Sequence, residues 1–144
     1  MTNAIYTTII EKIRTSLEGV DMVKEISSFP NDNVKSYPGV NFYPSELENS
    51  FETNEENKQV RGFKMDIIIG GEQKSWDDIF STILPKVVDE VINQLASDWN
   101  AGTIEGHRTW LKVDSGDWGF FQAQNGMMAV ATLNLSVKLL TNNS

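Results

Sequence analysis

The chain contains one histidine, His107, and no cysteine. His107 follows Gly106 at the start of a predicted strand. As a general base or a metal ligand it would need an orienting carboxylate or further ligands. The nearest acids, Glu105 and Asp114, are explained as solvated groups. The absence of cysteine removes disulfides, thiolate metal sites and thiol nucleophiles together. Carboxylates occur in pairs at Asp77/Asp78, Asp89/Glu90 and Asp114/Asp117. Adjacent helical residues point about 100° apart, so the first two pairs do not converge. Asp77 and Asp78 suit the positive end of a helix dipole. Asp114-Ser115-Gly116-Asp117 lacks calcium-loop spacing and has the composition of a tight turn. Gly70-Gly71-Glu72 has no Gly-Lys-Ser/Thr ending, and no Gly-x-Ser-x-Gly elbow exists. The residues therefore assemble no self-contained catalytic site, and neither a cofactor nor a metal is expected.

What remains is contact chemistry. Residues 45–57 hold Glu46, Glu48, Glu52, Glu55 and Glu56 around Phe51, with no base. This segment reads as a flexible acidic loop long enough to reach a neighbour and order on contact. Of the four tryptophans, Trp76 lies on an apolar helical stripe, as core packing requires. Trp110 and Trp118 fall on either side of the Ser115-Gly116-Asp117 turn. They read as cross-strand neighbours on the face away from Leu111 and Val113. Core packing and a buried interface are both open for that pair.

The elements that must position these residues follow from periodicity. Ile5, Ile9, Ile13 and Leu17 recur every four residues and predict a helix over 3–17, stopped at Gly19. A short strand is expected over 20–27, then a turn at Phe29-Pro30-Asn31-Asp32-Asn33. Tyr37 to Pro44 is a short extended piece with a proline near each end; it is short or at a sheet edge, because proline donates nothing to a ladder. Residues 58–70 alternate, with Phe63, Met65, Ile67 and Ile69 on one face. Ser75 caps the next helix, whose apolar stripe runs from Trp76 to Leu95. Pro85 interrupts it but the stripe stays in phase, predicting a kink, with a break into two helices as the alternative. Strands are expected over 107–114 and 117–124. Asn125-Gly126 then turns the chain into a strand from Met127 to Leu140. The order α-β-β-β-α-β-β-β, without repeat or linker, predicts a single α+β domain over 1–144. It is a mainly antiparallel sheet with two helices packed on one face.

Composition bounds the partners. The chain of 144 residues carries a formal charge of −8, concentrated in 45–57 and 72–99. An acidic chain repels phosphate backbones, so sequence-specific nucleic-acid binding is not expected. Apolar runs such as Ile67-Ile68-Ile69 are far short of the about 20 residues a membrane helix needs. The start of the chain lacks the pattern of a signal peptide.

This layout resembles the tail terminator, or tail completion, proteins of long-tailed bacteriophages and prophages. The residues that carry the likeness are Phe29-Pro30, then Tyr37-Pro38-Gly39-Val40-Asn41-Phe42-Tyr43-Pro44-Ser45, a strand ending Asp66-Ile67-Ile68-Ile69, Val87-Val88-Asp89-Glu90-Val91 in the second helix, and Gly116-Asp117-Trp118 in the final meander. The resemblance implies a structural virion subunit, made in the host cytoplasm. It implies a homo-oligomeric ring, a hexamer, on the head-proximal end of the tail tube. Its partners would be the tube protein and a neck or connector protein, with DNA passing through the lumen. An acidic lumen would let DNA pass without sticking. Glu46, Glu48, Phe51, Glu52, Glu55, Glu56, Trp110 and Trp118 are the candidate interface residues. An acidic protein-binding or regulatory domain, another neck or tail-tube-like phage protein, and a small enzyme or ligand-binding domain are the alternatives.

Overall fold

A computed structural model describes residues 5–51, 56–70, 75–99, 102–104, 107–123 and 126–142. The chain opens with α1 (Ile5–Glu18) and a short strand β1 (Glu25–Ser27). Two long strands follow, β2 (Gly39–Phe51) and β3 (Glu56–Gly70). Next comes α2 (Trp76–Asp78), which passes through a π-helical stretch (Ile79–Ile83) into α3 (Leu84–Asp98). The chain ends with β4 (Gly102–Ile104), β5 (His107–Ala123) and β6 (Gly126–Asn142). The six strands form one sheet in the order β1-β2-β3-β6-β5-β4. Every pairing is antiparallel except β1 with β2.

Both helices lie on one face, as the sequence predicts. Ile9, Ile13 and Leu17 of α1 and Leu84, Val87, Val91 and Leu95 of α3 are buried. They pack on Val40 and Phe42 of β2, Phe63, Met65, Ile67 and Ile69 of β3, and the odd-numbered residues of β6 from Ala129 to Leu139. Each large apolar side chain withdrawn from water here contributes roughly 1.5–3 kcal/mol. Ser75 caps α2 by accepting from the Asp78 amide at 3.1 Å. At Pro85 the helix neither stops nor simply bends. Proline removes one donor and crowds the carbonyl four residues back. The chain accommodates it with the wider π-helical stretch just before, and the apolar stripe continues in phase. Where α3 ends, hydrogen bonds from the Ser16 hydroxyl and the Gln94 amide hold the Asp98 carboxyl below its usual pKa, tying α1 to α3.

A second, smaller cluster sits on the opposite face. Val34 from the β1–β2 connection covers Ile68 and Met128, with Tyr37 and Val130 beside them. Beside it the same connection forms a cleft of about 270 Å³ lined by Asn31, Asp32, Asn41, Asp66 and Thr132, among others. The connection is fixed to the sheet by the Asn41 amide, which donates to the Asn31 carbonyl at 2.7 Å.

Three expectations need correction. Residues 45–51 and 56–57 are not loop; they extend β2 and β3 into a long hairpin. The strand expected over 20–27 is confined to Glu25–Ser27. Ser115-Gly116-Asp117 is not a turn, because β5 runs unbroken from His107 to Ala123. The third strand of the C-terminal group is instead the short β4, ahead of β5.

Candidate interface at the two free sheet edges

The candidate residues gather along the outer strands of the sheet. On one side, β1 covers only Gly39 to Asn41 of β2. Beyond Asn41, β2 has no outer partner among the described residues. On the other side, β4 covers only His107 to Thr109 of β5, and no described strand pairs with the outer side of Trp110 to Gly116. An uncovered strand presents unpaired backbone donors and acceptors, which makes it a template for another strand.

Each of these edges carries one bulge. In β2 the register shifts between Pro44 and Glu46, so Ser45 is the extra residue. In β5 it shifts between Val113 and Ser115, so Asp114 is extra. Both bulges flank the same cross-sheet row, Pro44–Phe63–Leu135–Val113. Gly62 makes room for the first. A Cβ there would stand 3.1 Å from both the Glu46 Cβ and the Ser45 Oγ. The second is held by the Ser136 hydroxyl, which donates to Asp114, and by the Asn134 amide, which donates to the Ser115 Oγ at 3.0 Å.

The β5 bulge decides where the tryptophans point. Side-chain direction alternates with a period of two, so one extra residue swaps the faces beyond it. Trp110 stands opposite Lys138, on the face away from the helices, whereas Trp118 stands opposite Ala131, on the helix face. They are therefore neither cross-strand neighbours nor on one face, contrary to the sequence reading. Trp110 does face away from Leu111 and Val113, and Arg108 lies over its ring with 5.8 Å to the centroid. Trp118 is 51% exposed at the margin of the helix layer. Two residues on, Phe120 joins Trp76 and Phe80 edge-on, with centroids 5.0 Å apart in both contacts.

By register the described candidate glutamates share one face, the one away from the helices. Glu46 is exposed in β2, in the row Glu46–Gly62–Ser136–Lys112. Glu48 stands in β2 opposite Val60, Phe51 ends β2 opposite Asn57, and Glu56 begins β3 opposite Asn142. Glu52 and Glu55 lie outside the described residues. Sequence reasoning missed Leu47, 60% exposed on β2, and Lys112 on β5. Neither carries a signal of its own, because an edge is defined by which strands lie beside it.

The face away from the helices is mixed in charge rather than acidic. Lys64, Lys112 and Lys138 share it with Glu46, Asp66 and Asp117. Asp66 accepts from Thr132 at 2.8 Å and from the Tyr43 hydroxyl at 3.2 Å. Burial, and then the neighbouring Asp66 charge, raise the Tyr43 pKa. His107 closes the β4–β5 corner, its Nδ1 lying 3.2 Å from the Ile104 carbonyl oxygen. Among the described residues no group of three or more His, Asp or Glu could hold a metal ion. No described helix is long and apolar enough to cross a membrane. No protein-family model matches the chain, and no curated protein matches it.

Proposed function

We propose that this protein is the subunit of a closed homo-oligomeric ring of the tail-terminator kind, one that ends a phage tail tube and joins it to the head. The observation that carries the reading is the sheet itself. Its four long strands alternate in direction, both outer ones are largely uncovered, and the helices pack on one face only. A cyclic assembly needs two different surfaces per subunit that meet head-to-tail. Two unlike strand edges on opposite sides of one sheet supply that geometry. The helices would then form the outer layer, and the polar face would line the channel. Its mixture of lysines and carboxylates suits contact with water and with a passing polyanion.

Native mass spectrometry should find a closed oligomer, with six copies expected. Added to polymerising tail-tube protein, the chain should shorten the tubes and sit at one end in electron micrographs. A chain that stays monomeric and leaves tube length unchanged would sink the reading. The exposed acids Asp77, Asp78, Asp89 and Glu90 on α2 and α3 favour one alternative, an acidic domain that binds a basic protein. That alternative expects a stoichiometric complex with a basic partner and no ring.

A further inference from the structure

Each edge strand is bulged against its inner neighbour, yet the two edges are in phase with one another. Following the cross-sheet rows from β2 through β3 and β6 to β5 links Phe42 with Gly116 and Tyr43 with Ser115. Below the bulges the rows link Glu46 with Lys112 and Leu47 with Leu111. Between these rows lie Pro44 and Ser45 on one edge, and Val113 and Asp114 on the other. The extra residue of β2 therefore offsets the extra residue of β5. A regular strand laid along either edge would lose register at the bulge, which is how bulges protect edges from indiscriminate pairing. The matching edge of a second copy would not.

We infer that β2 of one copy pairs antiparallel with β5 of the next, with Glu46 opposite Lys112 and Leu47 opposite Leu111. The inference rests on the ring reading and names the partner surfaces it needs. Direction agrees. The strands alternate across β2-β3-β6-β5, so β2 and β5 run oppositely within one copy. Rotation about an axis lying roughly along the strands preserves those directions, so neighbouring copies meet in antiparallel fashion. Charge agrees as well. Glu46 is exposed, and the Lys112 side chain is 79% exposed, with Asp114 at the 4.0 Å limit of contact. On the helix side, the 60% exposed Leu47 gains the half-buried Leu111 as a neighbour. The pairing occupies Phe42–Glu48 of one copy and Trp110–Gly116 of the other, the stretch that β1 and β4 leave uncovered in this register. Pro44 contributes no donor, so the ladder lacks at most one rung there.

The chain has no cysteine, so introduced thiols report without background. The double variant Glu46→Cys/Lys112→Cys should cross-link copies into a disulfide ladder on oxidation, whereas either single variant should not. Lys112→Glu should weaken association roughly tenfold, and adding Glu46→Lys should restore most of it. Oligomers that form but fail to cross-link through this pair overturn the edge pairing and leave the ring reading standing. So do oligomers that cross-link through Glu46→Cys alone. A chain that remains monomeric up to about 1 mM overturns both.

Discussion

The two free edges of the sheet share a bulge at the same level but differ in what lies behind it. Beyond Ser45, β2 runs out to Leu47, which is largely exposed and packs on little. Beyond Asp114, β5 runs under the start of the second helix, where Phe120 meets Trp76 and Phe80. The same one-residue insertion is therefore almost free in one strand and structural in the other. A bulge matters in proportion to what the side chains past it must reach.

Deleting each extra residue is the sharpest way to break this comparison. Removing Asp114 leaves Trp118 and Phe120 on the helix face but takes out the bend and added twist of the bulge, so Phe120 should lose its seat against Trp76 and Phe80. A loss of about 2–4 kcal/mol in urea unfolding is expected, with a change in tryptophan emission. Removing Ser45 should cost only about 1 kcal/mol, because the Leu47 side chain beyond it is already largely in water. Equal losses would show that the bulges are equivalent after all. Gly62→Val comes next. Its branched side chain would enter the space taken by the β2 bulge, where even a Cβ comes within 3.1 Å of Glu46 and Ser45. A cost of about 1–3 kcal/mol is expected, and deleting Ser45 in the same chain should relieve most of it. The smallest effect concerns Tyr43, just before the β2 bulge. Tyr43→Phe removes its hydrogen bond to Asp66 and should cost about 0.5–1.5 kcal/mol. Because folding raises the Tyr43 pKa, the wild-type contribution is present below the ordinary tyrosine value near 10. It is lost as pH rises through the higher native value. Alkaline unfolding curves of the two chains should therefore converge.

Much of the fold was legible because burial on one side imprints a period. The helices, β3 and β6 each put a continuous row of apolar residues against the core, so their spacing could be read directly. The outer strands leave no such imprint. Ser45, Glu46 and Leu47 are exposed, so the polar strand that starts there carries no buried apolar row and looks like a loop. At Ser115-Gly116-Asp117, turn-forming residues occupy the stretch just past an inserted residue that a turn would also explain. Missing that insertion misplaced Trp118, since a parity count carried through a bulge comes out on the wrong face. The site could not be located from residue types alone. An edge is a relation between strands far apart in the chain, as with Glu46 and Lys112 at the two ends of one row.

The β1–β2 connection lies over the polar face near only one end of the strands, where Val34 covers Ile68 and Met128. In a ring of identical copies every such flap would fall at the same mouth of the channel. One opening would be narrowed and partly dry, the other wide and wet. Such a particle has a front and a back without any second kind of subunit, and two different neighbours could each recognise their own end.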